Sequence, residues 1–342
     1  MTRWMALALA VFALAHHAGA RAAEAAGEFY RGKTVTLVLS SDVGGGYDTM
    51  SRILARHLPR HIPGAPTIVV NNMPGAGGIA ATNYLYNIAP KDGTVIGGVQ
   101  NNTPFEPLYG TPQARYDPTK FVWLGSPSVE TGLVAVWHTV PVNSIEDVRT
   151  REIVVGATGA NSTPSFYARL INETLGTRMR IIVGYPGQTE AFNAVERGEL
   201  DGMPSIFYSS LLATKPDWLR DGKLKLLLQY GPEREPALPG VPFASDLVGN
   251  PEDKALLAAG FAALALGRPY LMPPGVPGER AALMRKAFID TFNDPLFQSE
   301  ANRIGLDATR PRDGEQIQEV INQTYRAPPA VVARIRRLVA AQ

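Results

Sequence analysis

The sequence predicts an α/β protein of two domains. Three observations carry that expectation: a length of 342 residues, more than one hydrophobic core usually serves; a strand, glycine turn and helix alternation from Glu28 to about Gly125; and the return of the same pattern from Glu152 onward. With 45% hydrophobic and 19% charged residues, the chain lies in the range of folded globular proteins rather than disordered ones.

In the first unit, the β-branched run Thr34-Val-Thr-Leu-Val-Leu39 reads as a strand that breaks at Ser40-Ser-Asp-Val-Gly-Gly-Gly46. Met50, Ile53, Leu54 and Leu58 then follow at helical spacing. Thr67-Ile-Val-Val70 is a second strand, Asn71-Asn-Met-Pro-Gly-Ala-Gly-Gly78 a second glycine turn, and a helix runs through Tyr84-Leu-Tyr86. Asp92-Gly93 makes a tight turn into a third strand, Thr94-Val-Ile-Gly-Gly-Val99.

The second unit starts with Ile153-Val-Val155 and the loop Gly156-Ala-Thr-Gly-Ala-Asn-Ser-Thr-Pro-Ser165. Thr163 is the expected N-cap with Pro164 at the first helical position, Phe166, Leu170 and Ile171 form the apolar stripe, and Gly176 ends the helix. Next come a strand at Arg180-Ile-Ile-Val183, the turn Gly184-Tyr-Pro-Gly187, and a helix with Ala191, Phe192 and Val195 inward and Gly198 at its end. Lys223 to Tyr230 is a further strand, and the Pro/Gly-rich stretch Gly231 to Pro242 a connector. Helices around Lys254 to Leu266, Glu279 to Phe292, Gly314 to Tyr325 and Pro329 to Leu338 are expected to cover the first domain's sheet.

The N-terminus reads separately. Met1-Thr-Arg-Trp4 is a short basic segment, Met5 to Ala15 an apolar one too short to span a bilayer, and Ala20-Arg-Ala22 a cleavage pattern, with Ala18-Gly-Ala20 as a second. Residues 1–22 are therefore expected to be a secretory signal peptide. Its removal takes Arg3 and Arg21 and leaves basic and acidic residues equal in number, so no net charge remains to attract nucleic acid. The absence of cysteine excludes disulfides and thiolate chemistry, which for an exported chain suits a bacterial periplasm.

Several chemistries are disfavoured by their missing parts. Gly44-Gly-Gly46 follows a strand, but without the Lys-Ser/Thr pair of a phosphate-binding P-loop. Gly75-Ala-Gly-Gly-Ile-Ala80 has dinucleotide-fingerprint spacing, yet Pro74 and further residues separate it from its strand. His57-Leu-Pro-Arg-His61 lacks a glutamate and contains a proline, so it reads as two histidines at a helix end rather than a metal site. No Gly-x-Ser-x-Gly elbow frames Gly125-Ser-Pro-Ser128 or Ser162, and no general base is evident beside a serine. No catalytic residue, metal or cofactor is assigned.

What remains is a set of glycine- and hydroxyl-rich loops at the carboxyl ends of strands, each opening a helix. Unpaired N–H groups and the helix dipole make such ends favourable for a carboxylate. The opposing reading is that these glycines serve tight turns only.

At these residues the sequence resembles the periplasmic solute-binding receptors of tripartite tricarboxylate transporters, the Bug proteins. The resemblance is carried by Val43-Gly-Gly-Gly-Tyr-Asp48, Asn72-Met-Pro-Gly-Ala-Gly-Gly78, Ala89-Pro-Lys-Asp-Gly93, Tyr116-Asp117, Gly156-Ala-Thr-Gly159, Gly184-Tyr-Pro-Gly187 and Glu196-Arg-Gly-Glu-Leu-Asp-Gly202, in that order along nearly the whole mature chain. It implies a two-lobed periplasmic-binding-protein (Venus flytrap, type II-like) architecture with a cleft between lobes: residues 28–124 plus 231–342 as lobe 1 and 125–230 as lobe 2. It implies a receptor, not an enzyme, that captures a small organic carboxylate (a di- or tricarboxylate or an aromatic acid) and hands it to large and small permease subunits. A periplasmic partner of a sensor kinase is the alternative role, and a secreted hydrolase a remoter one.

Carried over by position, Gly44, Gly45, Gly46, Tyr47 and Asp48, then Gly75, Ala76, Gly77 and Gly78, then Asn101, Asn102 and Thr103 would line the first lobe. Thr158, Gly159, Ala160, Asn161, Ser162 and Thr163, then Tyr185, Pro186 and Gly187, and Asp201 would line the second. Asp201 would either contact ligand or brace its loop, and Asp48 would sooner cap its helix than touch the anion. Ser41-Asp-Val43 and Asn71-Asn-Met-Pro-Gly75 depart from the family's usual sequence, the second by lacking its arginine. Tyr47 and Tyr185 would either favour a larger or aromatic acid or pack in the hinge.

Overall fold

A computed structural model describes residues 28–340 apart from Gly45, Asn161 and Asp307. The expected signal segment, residues 1–22, lies outside the described residues, as do two of the expected ligand contacts, Gly45 and Asn161.

The chain forms two mixed sheets flanked by helices. The first contains β1 (Thr34–Leu39), β2 (Thr67–Asn72), β3 (Val95–Gly98), β4 (Val122–Ser126), β10 (Tyr270–Met272) and β11 (Arg312–Asp313), in the order β11-β4-β10-β3-β1-β2. The second contains β5 (Gly132–Trp137), β6 (Ile153–Gly156), β7 (Met179–Ile182), β8 (Gly202–Phe207) and β9 (Leu224–Tyr230), in the order β7-β6-β8-β5-β9. The two share one plan. Three parallel strands lie side by side with the earliest in the middle, and beyond them an antiparallel strand joins the third strand to a fourth. In the first sheet the joining strand is β10, from late in the chain; in the second it is β5.

Burial on both faces explains the apolar strands, as expected for parallel sheets. On one face of the first sheet, Val35, Leu37 and Leu39 meet Met50, Ile53 and Leu54 of helix α1 (Gly46–His57) and Met284 and Phe288 of the helix over Gly278–Phe292. On the other, Val38 meets Ile79 and Leu85 of helix α2 (Ile79–Asn87) and Ile317 and Ile321 of the helix over Gly314–Tyr325. In the second sheet, Val134, Val136 and Val155 face Leu170 and Ile171 of helix α3 (Thr163–Leu175). Its other face buries Leu133 and Met203 against Ala191, Phe192 and Val195 of helix α4 (Gln188–Glu196).

Two of the late helices correct the expectation that all of them cover the first sheet. Helix α5 (Pro251–Gly260) and the C-terminal helix α6 (Pro329–Ala340) bury Leu256, Leu257, Val331, Ile335 and Leu338 in the same core as α3. Arg334 ties α6 to Glu173 and Asp253 at 2.7 Å each, and Arg169 of α3 donates to the Leu338 carbonyl at 2.7 Å. Apolar spacing reveals a helix's buried face but not which sheet that face meets.

The chain passes between the sheets at 127–131, again at 267–269, and a third time ahead of α6. The first two passages are laced together. Glu130 N–H donates to the Leu264 carbonyl at 2.9 Å, and Arg268 N–H to Ser126 Oγ at 2.9 Å.

Candidate functional site

A cavity of about 240 Å³ opens between the carboxyl ends of the strands of both sheets, with room for a small acid and some water at ~30 Å³ per water. Tyr47, Gln100, Asn101 and Asn102 line it from the first sheet's side. From the second come Gly156, Ala157 and Thr158 after β6, Thr163 and Pro164 opening α3, Gly187, Gln188 and Ala191 at the start of α4, and Met203, Ser205 and Phe207 of β8. The lining follows β1 and β3 in one sheet and comes from the loop after β6 and from β8 itself in the other, the strands between which order reverses and open α/β sheets offer their crevice; the loop after β7 adds Gly187 and Gln188.

The second-lobe side presents two helix ends. The N-cap of α3 is Ser162, not Thr163 as the sequence suggested, and no side chain caps the helix. The Ser162 hydroxyl turns back to donate to the Gly159 carbonyl at 2.7 Å, as does Ser165 Oγ, which stiffens the loop and leaves the first turn of α3 uncovered. Pro164 follows Thr163 in that first turn. Gly187 caps α4, again without a side chain across the end. Each end carries about half a positive charge; no carboxylate lines the cavity, though exposed Glu190 stands in the first turn of α4.

On the first-lobe side the ring of Tyr47 forms a wall. Its hydroxyl donates to the Gly267 carbonyl at 3.2 Å and accepts from Asn101 N–H at 3.1 Å, joining helix α1, the loop after β3 and a passage between the sheets. Burial pushes this phenol up to about 12, against the pull of Arg268, so it stays neutral and can keep donating. Ser40 Oγ accepts from Gln100 N–H at 2.9 Å and Thr103 Oγ1 donates to the Gln100 carbonyl at 2.8 Å, fixing the loop that carries Asn101 and Asn102.

Asp48 takes the local role expected of it rather than facing the cavity. Its buried carboxylate accepts from Arg52 Nε at 2.9 Å, Gly44 N–H at 2.9 Å and Asn72 Nδ2 at 3.0 Å. The glycine loop's amide and the N-terminus of α1 are thus served by the protein's own anion. The Arg52 guanidinium first, then the Gly44 and Asn72 donors, hold the Asp48 carboxyl down at about 2 despite burial. A depressed folded-state value stabilises the protein above the ordinary range near 3.8, and that contribution is lost as pH falls from about 4 to about 2. Asp48→Asn is expected to cost about 2 kcal/mol at neutral pH. Urea unfolding at pH 7 and pH 3 would show the gap between variant and parent narrowing in acid; a pH-independent gap would refute the assignment.

Of the other expected contacts, Gly44 and Gly46 lie beside the Asp48 carboxylate and the Tyr47 ring without lining the cavity. Gly75, Ala76 and Gly77 form an exposed turn with positive φ, and Gly78 packs so closely on Ser40 and Thr103 that a β-carbon would stand 2.9 Å from Thr103 Cγ2. Thr103 is fully buried beneath the loop rather than facing the cavity. Gly159 and Ala160 are half-buried, Ser162 is spent on its own loop, and Pro186 is exposed. Tyr185 packs against the second-lobe core, its ring 3.4 Å from where a β-carbon on Gly156 would stand. Asp201 braces strands: its carboxylate accepts from Val154 N–H at 2.7 Å. Tyr47, Asn101, Asn102, Thr158, Thr163 and Gly187 do converge on the cavity.

Behind Tyr47 lies a larger cavity of about 340 Å³, lined by Glu130, Thr131, Tyr208, Ser209, Glu235 and Arg310 among others. Arg310 Nη2 bonds Glu235 at 2.8 Å while its buried Nη1 makes no hydrogen bond among the described residues, and Ser209 Oγ donates to Glu130 at 2.7 Å. One short helix, Tyr208–Thr214, opens onto this larger cavity without a side-chain cap, but its lining is charged where that of the smaller cavity is not. His57 and His61 are paired separately, with Glu300 at 2.6 Å and Asp294 at 3.1 Å.

With this geometry, comparison with known proteins is decisive at one point: the family model for the tripartite tricarboxylate transporter family receptor (TctC) matches residues 50–335. The chain belongs to this family. A relative of this TctC-family receptor, described as UPF0065 protein in gbd 5'region of Cupriavidus necator, is 27% identical over 239 residues, 66% of this chain and 67% of that one. A TctC solute binding protein from Polaromonas superimposes on the receptor with a TM-score of 0.70 at 17% identity, covering 91% of this chain and 99% of that one. MatC from Rhodopseudomonas palustris, with bound malate, does so with a TM-score of 0.61 at 20% identity, covering 90% and 99%. At such identities the likeness establishes the two-lobed α/β fold. Among the receptor's described residues, no helix is long and apolar enough to cross a membrane.

Proposed function

We propose that this chain is a non-enzymatic periplasmic receptor that takes a small organic acid, with one or two carboxylates on a short apolar body, into the cavity between its lobes and delivers it to the membrane subunits of a tripartite transporter. The observation that carries the reading is the convergence of two uncapped helix N-termini on a cavity whose lining has no ionised side chain. An anion there gains N–H donors and two helix dipoles without displacing an existing partner. Thr158, Thr163, Ser205, Asn101 and Gln188 add directional polar groups. Tyr47, Pro164, Ala191, Met203 and Phe207 offer apolar surface, which suits an acid with a hydrocarbon body better than a compact tricarboxylate. Malate bound to MatC is in keeping with the class. Groups from both lobes line the cavity, so an occupant that touches both stabilises the closed arrangement over an open one.

The test is calorimetry and thermal unfolding of the mature chain with mono-, di-, tri- and aromatic carboxylates beside neutral solutes. Saturable binding by at least one acid is expected, with stabilisation that grows as ligand exceeds its Kd, about 2.7 kcal/mol at a hundredfold excess. Silence across all the acids, or binding confined to neutral solutes, would overturn the proposal.

A further inference from the structure

The cavity's lining carries no full positive charge, yet one is buried just behind its wall. Arg268 follows the passage residue Gly267, and its guanidinium carbon lies 6.0 Å from the centre of the Tyr47 ring. Its Nη2 is 3.8 Å from where a β-carbon on Gly46 would stand. The backbone N–H is fixed by Ser126 Oγ at 2.9 Å, and the side chain is 11% exposed. On the far side, Nη1 meets Glu130 Oε1 at 3.2 Å, and the Glu130 carboxylate lines the larger cavity, where Ser209 also binds it. The buried pair is therefore unequal at the wall: its cation lies over the Tyr47 ring, while its anion borders the larger cavity.

We propose that Arg268 is the residue that makes the cavity select an anion over a neutral molecule of the same shape, acting through the Tyr47 wall without touching the occupant. This rests on the carboxylate reading above. Burying an ion pair is a poor way to gain stability, because desolvation offsets the attraction between partners. Placed with the cation behind the cavity wall, the same pair supplies a field that is screened less than one at the surface. The ring between them adds little screening and is itself favourable to the cation on its face. The acid beside the rim, Glu190, whose carboxylate lies 3.0 Å from a β-carbon built on Gly187, is exposed, so solvent and salt damp its opposing effect.

The test uses paired probes, each acid with its amide: butanoate and butanamide, benzoate and benzamide, malate and malamide. Calorimetry on the mature chain gives the acid-to-amide affinity ratio for the parent, for Glu130→Gln and for the Arg268→Gln, Glu130→Gln double variant. The double variant avoids a stranded buried carboxylate, and circular dichroism checks the fold of both. Glu130→Gln unmasks the cation and is expected to raise the ratio about tenfold; the double variant removes the cation and is expected to lower it about tenfold below the parent. Ratios that stay together in all three proteins, or equal losses for acid and amide, would give Arg268 a structural role only and overturn the inference. A parent that does not prefer the acid would instead overturn the carboxylate reading itself.

Discussion

Alanine at Gly267 is expected to be the most damaging single substitution considered for this protein, costing about 4 kcal/mol or more. A β-carbon there would stand 1.9 Å from the Ser128 carbonyl oxygen and 2.8 Å from its carbon, and both are backbone atoms that no side-chain rotation can move. The residue also holds φ 54° and ψ −106°, which a side chain makes costly. Accommodating the methyl group means separating the two passages between the lobes where Arg268 N–H and Glu130 N–H lace them. Urea unfolding of Gly267→Ala beside Gly240→Ala checks the claim. Nothing lies within 4 Å of a β-carbon at Gly240, and that variant is expected to stay within about 0.5 kcal/mol of the parent. Equal stability of the two variants would show that the passage is far softer than its geometry implies.

The largest effect on binding is expected from Tyr47→Ala. The change removes an aromatic wall of the cavity, strands Asn101 N–H, and releases the Gly267 carbonyl in one step. An affinity loss of about a hundredfold follows from about 3 kcal/mol of lost ring contact and hydrogen bonding. Tyr47→Phe keeps the wall and loses only the hydroxyl, so its loss is expected near tenfold. Calorimetry with the tightest acid of the panel gives both numbers. Unchanged affinity in Tyr47→Ala would place the ligand elsewhere.

The strands that open each lobe, and the loops after them, were legible because glycine turns punctuate parallel strands buried on both faces. The three parallel strands of the first sheet, and β6 and β7 of the second, followed from that pattern; β8 did not. The joining strands were not legible. β10 has only three residues, and β5 is a short apolar run whose periodicity is equally that of a buried helix. The site divides in the same way. Tyr47, Asn101, Asn102, Thr158, Thr163 and Gly187 sit on loops at strand ends and line the cavity.

Met203, Ser205 and Phe207 were missed. They alternate along β8, but Pro204 between them argues against a central strand. The structure resolves the conflict with an irregular register opposite Leu133 and Ala135, the kind of bulge that tolerates a proline. For Asp48 and Asp201 the capping and bracing alternatives match the bonds their carboxylates make, and Thr103 lies beneath its loop. Sequence shows that a polar side chain lies near a site, but not whether a backbone N–H of its own chain, such as Val154 for Asp201, has already engaged it.

The shared plan of the two sheets also fixes the order in which a growing chain can complete them. Once β9 has been made, at Tyr230, all five strands of the second sheet exist, with β5 already waiting between β8 and β9. The first sheet begins to be made nearly a hundred residues earlier, yet β3 and β4 have no ladder between them until β10 arrives at Tyr270–Met272. The lobe that is synthesised first is therefore the last to close, and from Ser126 to Tyr270 the growing chain carries β3 and β4 as open edges.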